Sequence, residues 1–200
     1  IYGQNTAGGW AGSFAGFFDM NGARVRNGLF SYEDGILGGA KIYRGDLNGD
    51  GAEEKIVVTG PRLEIFDQQG NRWFNEFPFS PNYKGNTRIT VGKLFNAEEN
   101  YIIASQSEGG QAVIYNYHGA SIRNNFMALG KKYKAGLAVA IAKDADKNSR
   151  IVAGTDGGKR PEAIIFDKNF SKIIKRFFID DKKLKSGLSL AAGDFNGDGV

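Results

Sequence analysis

The chain contains no Cys, a single His, two Met and four Pro among its 200 residues. Without Cys it has no disulfide staple, no thiol nucleophile, no Cys-type zinc cluster and no iron–sulfur ligation. One histidine, His118, would have to serve any Ser-His, Cys-His or multi-His metal site alone, which argues against most catalytic templates. No apolar run approaches the roughly 20 residues of a membrane span, so membrane insertion is not expected. Ile1 to Gly9 lack the basic start and apolar middle of a signal peptide. Charge of one sign is also scarce: the formal net charge is +4. Apart from a denser stretch from Lys172 to Lys185, the basic residues are spread along the chain. They read as solvated loops and strand faces rather than as a nucleic-acid surface, which concentrates them on one face of a known module.

Glycine is abundant instead. Its 29 copies are roughly twice the average usage, and 41% apolar with 24% charged residues is the balance of a folding chain. At this length about 70% of the unfolded surface can be buried without staples. Self-comparison shows a repeat. Phe18-Asp19-Met20-Asn21-Gly22, Phe66-Asp67-Gln68-Gln69-Gly70, Tyr115-Asn116-Tyr117-His118-Gly119 and Phe166-Asp167-Lys168-Asn169-Phe170 begin 48, 49 and 51 residues apart. A second cassette keeps the beat: Gly38-Gly39-Ala40 before Lys41, Lys84-Gly85-Asn86 before Ile89, Lys134-Ala135-Gly136 before Leu137, and Lys185-Ser186-Gly187 before Leu188. An apolar cassette, Ile56-Val57-Val58, Ile102-Ile103-Ala104 and Ile151-Val152-Ala153, completes the unit. Ile1-Tyr2 fits as the tail of an earlier copy at a looser spacing.

Within each unit Val, Ile, Phe and Tyr alternate with polar residues at period two and break at Gly, Asn and Asp turns. No segment keeps a helical stripe over three turns. Short strands, about four per repeat, in units of 40 to 50 residues predict an all-β chain: a β-propeller segment of about four four-stranded blades. A β-solenoid would need shorter, parallel coils of about 20 to 30 residues, against which the hairpin cassettes argue. The expected organisation is one module over residues 1–200, with repeats at about 1–55, 56–101, 102–150 and 151–200. It is cut mid-blade at both ends and continues into further blades outside this chain.

One motif carries chemistry. Asp46, Asn48 and Asp50 occupy positions 1, 3 and 5 of a loop, Gly51 position 6, and Glu53 and Glu54 positions 8 and 9. Ca²⁺ takes six to eight oxygens, and a tight loop with alternate residues pointing inward supplies them. The glycine allows the positive φ that turns the chain around the ion. An EF-hand starts alike but closes with a bidentate Glu at position 12, where Val57 stands here. The expected ligands are the side chains of Asp46, Asn48 and Asp50, the carbonyl of Ala52, and Glu54 in preference to Glu53. Asp194, Asn196 and Asp198 form a second copy whose closing carboxylate would lie beyond Val200. Lys93-Leu94-Phe95-Asn96 has lost the motif, with a cation at position 1. The third copy is degraded too: Asp144, Asp146 and Asn148 fit after a slip of one residue, but Ser149 replaces the turn Gly. The competing reading of every Asp-Asn-Gly run is a tight turn held by side chain to backbone hydrogen bonds.

Asp46-Leu47-Asn48-Gly49-Asp50-Gly51 followed by Ile56-Val57-Val58-Thr59-Gly60 resembles the FG-GAP / VCBS repeat of integrin-alpha-type β-propellers. The units around Phe66-Asp67-Gln68-Gln69-Gly70 and Ala191-Ala192-Gly193-Asp194 are similar to repeat arrays of bacterial surface proteins. The resemblance implies a propeller with Ca²⁺ in its blade loops, outside the cytoplasm, serving adhesion or structure. The partner is not inherited with the fold.

The other residues point the same way. His118 reads as a surface turn residue. Trp10, Trp73, Phe17, Phe18, Phe74, Phe77, Phe79, Phe126, Phe177 and Phe178 read as packing between blades, with a carbohydrate-stacking platform as the alternative. Asp180-Asp181 and Glu98-Glu99 are adjacent, so on a strand they would face opposite ways and not converge as acid and base. Gly154 to Gly158 opens no helix, which argues against a phosphate cradle. The sequence therefore leads to a non-enzymatic, Ca²⁺-binding module at the cell surface or outside the cell that meets a surface protein or a glycan. The alternatives are a propeller-based carbohydrate-active enzyme or lyase, and a purely structural surface-layer or appendage repeat.

Overall fold

The computed structural model describes residues 2–4, 13–18, 20–31, 40–95, 98–178 and 183–194, with backbone alone at 2–4, 13–18, 24–31 and 125. Of the residues named above, Ile1, Gly9, Trp10, Asp19, Gly38, Gly39, Asn96, Asp180, Asp181, Asn196, Asp198 and Val200 lie outside the described residues, and the side chains of Phe17 and Phe18 are likewise outside them. The described chain is all-β, with fifteen strands and no helix. No helix among these residues is long and apolar enough to cross a membrane.

The strands form four antiparallel meanders. The first has three described strands: β1 (Tyr2–Gln4), β2 (Ser13–Phe18) and β3 (Arg24–Ser31). The second holds β4 (Lys41–Gly45), β5 (Glu54–Thr59), β6 (Arg62–Phe66) and β7 (Arg72–Glu76) in chain order. The third holds β8 (Thr87–Gly92), β9 (Tyr101–Gln106), β10 (Ala112–Tyr115) and β11 (Ser121–Phe126). The fourth holds β12 (Gly136–Lys143), β13 (Ser149–Asp156), β14 (Glu162–Asp167) and β15 (Ile173–Phe178). Contacts group the chain into two compact units, Ile1–Asp46 with Asp50–Thr87, and Leu47–Gly49 with Arg88–Val200.

The apolar cassette forms the second strand of each four-stranded sheet. Ile56, Val57 and Val58 in β5, Ile102, Ile103 and Ala104 in β9, and Ile151 and Ala153 in β13 are all buried. The expected repeat limits near 55, 101 and 150 thus fall at or just inside this strand, while each sheet begins one strand earlier, at Lys41, Thr87 and Gly136. After Gly187, residues 188–190 carry no strand, although Gly187 bridges Asp156 and the Leu188 amide donates to the Thr155 carbonyl at 2.7 Å.

The aromatic cassette marks the same point in all four meanders. Phe18 pairs with Arg24, Phe66 with Arg72, Tyr115 with Ser121 and Phe166 with Ile173. Each pairing directly follows a register shift in the hairpin, and such a bulge bends and twists its strand locally. The residue after the aromatic closes the turn. Asp67 Oδ1 accepts the Asn71 amide at 2.7 Å, Asn116 Oδ1 the Ala120 amide at 2.8 Å, and Asp167 Oδ1 the Ser171 amide at 2.7 Å. Gly70 and Gly119 take the left-handed conformation the turn demands, and in the fourth copy Phe170 adopts it with φ 55. Phe170 is nonetheless 2% exposed, so its packing offsets the backbone cost.

In the second unit the third and fourth sheets share one core. Leu94, Ile103 and Ile114 meet Leu137, Ile151, Ile164, Phe166 and Phe170 there. Phe126 at the end of β11 lies edge-on to Phe166 with ring centroids 5.4 Å apart, and tilted on Phe170 at 4.2 Å. Side-chain hydroxyls stitch the same contact: Thr90 donates to the Val139 carbonyl at 2.8 Å, Ser105 to Leu137 at 3.1 Å and Ser149 to Lys93 at 2.7 Å.

Not all of these aromatics pack as expected. Phe126 does, but Trp73 on β7 and Phe177 and Phe178 on β15 are exposed. They lie on the fourth strands of their sheets, and Arg160 stands 5.0 Å over the Phe178 ring.

Candidate functional site

Gly45 and Glu54 form the last rung of the β4–β5 pair, so the loop between them is closed at its base by the sheet. Gly49 and Gly51 both take φ 84, the positive value expected for the turn glycine. Asp46 Oδ2 accepts the Gly51 amide at 2.8 Å and Asp50 Oδ1 accepts the Ala52 amide at 2.7 Å. Glu53 turns outward onto Arg44, while Glu54 is buried at the start of β5. The two carboxylates at positions 8 and 9 thus lie in different surroundings, Glu53 in the loop and Glu54 at the first residue of β5. Val57, where an EF-hand would close, is buried in mid-strand.

Within the second unit the Leu47 carbonyl accepts the Asn100 amide at 2.8 Å, and Gly49 lies against the Glu98 backbone. Asn48 is half-buried between these two residues.

The donor set suits a hard cation: every candidate ligand is an oxygen, and each Asp that accepts an amide keeps further lone pairs. Yet no group of three or more His, Cys, Asp or Glu side chains comes together as a metal cluster among the described residues. The loop as described is a tight turn tied by its own Asp side chains. Of the second copy, Asp194 is exposed on irregular backbone.

In the degraded copies the acidic side chains pair with basic ones. Lys93 puts its ammonium 3.2 Å from Glu98. At the third copy, Asp144 accepts the amides of Asp146 and Asn148 at 3.1 and 2.9 Å and pairs with Arg150. Lys147 holds φ 60 in that turn. This is the tight-turn alternative in full, with Arg150 supplying the positive charge.

Three turn aspartates share an electrostatic signature. Partial desolvation acts to raise Asp67, Asp144 and Asp167, but hydrogen bonds outweigh it and hold all three below the ordinary 3.8. Asn71 is the main donor to Asp67, Asn148 to Asp144 with Arg150 adding its charge, and Ser171 to Asp167. A carboxyl depressed on folding adds stability above its unfolded value and loses it as pH falls through the folded one. The chain is therefore expected to keep its stability down to about pH 4 and lose it progressively below that. Asp167→Asn should flatten this acid limb in a pH series of thermal melts, and an unchanged limb would contradict the turn-capping role.

His118 sits in the β10–β11 turn beside Tyr117, ring centroids 3.8 Å apart, as a turn residue should. Gly157 and Gly158 lead from β13 into β14 with positive φ and open no helix. Glu98 and Glu99 fall on a loop rather than a strand, with Glu98 held by Lys93.

Two buried carboxylates escaped the reading of the sequence. Glu64 in β6 meets Arg72 at 2.9 Å, and Glu162 in β14 meets Lys159 at 2.5 Å and also Arg176. Both are 1% exposed. Their signal was a Glu inside an apolar strand, Leu63-Glu64-Ile65 and Glu162-Ala163-Ile164, with an Arg on the following strand.

No protein-family model matches the chain. Over 70 residues, 35% of its length, it is 36% identical to glycogen synthases of Francisella tularensis subsp. novicida (strain U112) and subsp. tularensis (strain WY96-3418). The match spans 14% of those relatives' length. Among solved structures, the crystal structure of BBS1N in complex with ARL6DN, soaked with mercury, aligns with a TM-score of 0.41 and 14% identity, covering 69% of this chain and 43% of that one.

Proposed function

We propose that the chain is part of a Ca²⁺-binding β-propeller of the FG-GAP / VCBS type. It acts without catalysis, outside the cell or at its surface, as an adhesion or interaction module that presents loops and sheet edges to a surface protein or a glycan. The observation that carries this reading is the bulge at Phe18, Phe66, Tyr115 and Phe166, one per antiparallel meander. Strict repetition of a four-stranded sheet is how blades are built. The non-catalytic reading is supported by the work its carboxylates already do: Asp67, Asp144 and Asp167 cap turns, and Glu64 and Glu162 hold Arg side chains.

The exposed β15 supports further blades outside this chain. Ile173, Ile174, Phe177 and Phe178 are each more than two-fifths exposed. By register Phe178 matches Phe126, since each is the last residue of its fourth strand and pairs with the first residue of its third, Glu162 and Ala112. Phe126 is covered by the sheet that follows it, so an equivalent sheet would cover Phe178.

Asp46, Asn48 and Asp50 would give side-chain oxygens, Ala52 its carbonyl and Glu54 its carboxylate to one Ca²⁺, with Asp194, Asn196 and Asp198 starting a second site. Ca²⁺ supplies the charge that lets these carboxylates lie close together. Calorimetric titration with Ca²⁺ should show a site that Asp46→Ala abolishes and Asn96→Ala retains. A titration indifferent to Asp46→Ala would reject the assignment.

A further inference from the structure

The loop joining β11 to β12 lies against the β13–β14 turn and leaves an open cavity of about 390 Å³, walled by Leu129, Lys132, Tyr133, Lys134, Gly158 and Lys159. Its frame is rigid. The buried Tyr133 hydroxyl has its one proton between the carbonyls of Gly136 at 2.7 Å and Gly157 at 3.0 Å, and accepts the Asp156 amide at 2.9 Å. Burial raises that hydroxyl's pKa above 10.0, keeping it protonated as this post. On the other side Lys134 takes the Gly109 amide at 2.7 Å through its carbonyl, and Ala135 bridges Glu108. Gly158 has φ 77, and a Cβ there would come 3.2 Å from the Ala135 Cβ, so a side chain at this point would crowd the cavity wall.

The charge in this frame is one-sided. Lys132 and Lys134 are exposed, and Lys159 stands over the Tyr133 ring at 5.4 Å while it binds Glu162 at 2.5 Å. An ammonium has three donors, so Lys159 retains capacity for a ligand. The neighbouring acids are engaged, Asp156 by Arg88 and Glu162 by Lys159 and Arg176. No carboxylate lines the cavity among the described residues. Ammonium groups are point donors that take an oxyanion without a fixed fork geometry. Leu129 and Ala135 add an apolar surface that the C–H face of a sugar ring can use and a bare inorganic anion cannot. The volume lies at the small end of the range for ligand pockets.

We propose that this cavity binds an acidic saccharide unit, its carboxylate or sulfate meeting Lys132, Lys134 and Lys159 and its ring resting on Leu129 and Ala135. This names a ligand class for the surface module and rests on that reading. The test is calorimetric titration of the protein with trigalacturonate, neutral galactotriose and inorganic tripolyphosphate, at low and high salt. Trigalacturonate should bind best, weaken with salt and lose about tenfold in affinity in the Lys132→Ala/Lys134→Ala double variant, while Lys41→Ala leaves it unchanged. No trigalacturonate binding, binding indifferent to the double variant, or tripolyphosphate binding as tight as the sugar would overturn the proposal. Sugar binding lost while Ca²⁺ still binds would remove this site alone. Loss of both would remove the surface-module reading as well.

Discussion

Phe166→Ala is expected to destabilise the protein by about 3–5 kcal/mol, the usual loss for truncating a buried aromatic. Phe166 is 3% exposed and packs edge-on against both Phe126 and Phe170 at 5.4 Å, in the core where the third and fourth sheets meet. Removing the ring leaves a cavity between two sheets that hydroxyl to carbonyl bonds already hold in place, so the site has little room to collapse. A native domain is stable by about 5–15 kcal/mol in all, and the variant should approach its unfolding threshold at physiological temperature. Phe178→Ala is the comparison. At 47% exposed it should change stability by no more than about 0.5 kcal/mol in this chain. Denaturant titration separates the two, and equal losses would contradict the packing described.

Glu162→Ala is expected to cost about 3 kcal/mol, the low end for breaking a buried ion pair. Lys159 and Arg176 each reach its carboxylate while remaining partly exposed, so both can recover water when it is gone. The backbone register there also rests on the Glu162 amide, which donates to Thr155 Oγ1 at 3.1 Å. Glu64 is the contrasting case. Its Oε1 takes Arg72 at 2.9 Å, but Oε2 is buried without a partner. An unpaired buried oxygen costs about 1–3 kcal/mol, which offsets what the Arg72 pair contributes. Glu64→Leu frees the half-exposed Arg72 to water and leaves the buried Arg62, 4.0 Å from Glu64, to its bond with Asn75, so it should cost about 1 kcal/mol less than Glu162→Ala. Similar losses at the two positions would show that the second oxygen of Glu64 is not the liability described.

The repeat was legible because one local event recurs. An aromatic, an Asp or Asn, and a turn residue with positive φ specify a bulged hairpin wherever they stand, so Phe66, Tyr115 and Phe166 mark equivalent positions without knowledge of their neighbours. The glycine of the second cassette was visible but unexplained. A Cβ on Gly136 would collide with the Ser107 carbonyl, and one on Gly187 with Asp156. Both contacts come from segments about thirty residues away, which no local pattern shows. The exposure of Trp73, Phe177 and Phe178 was hidden for a related reason. Period two says that a strand has two faces, and the cover on the outer one depends on the next sheet in space. At Asp46, Asn48 and Asp50 the ambiguity is chemical. The oxygens that would hold a cation are the same ones that accept a turn's amides, and Asp144 shows the pattern used for the turn alone.

A thermal melt of the protein in saturating Ca²⁺ and in chelator decides between those uses at Asp46. Folded protein would bind the ion and unfolded chain hardly at all, so Ca²⁺ at 100 times its dissociation constant should stabilise by about 2.7 kcal/mol. The melting temperature should rise with Ca²⁺ in the wild type and in Asn96→Ala, and stay unchanged in Asp46→Ala. Identical melting temperatures for the wild type with Ca²⁺ and with chelator would contradict the Ca²⁺ loop and leave residues 46–54 as a tight turn.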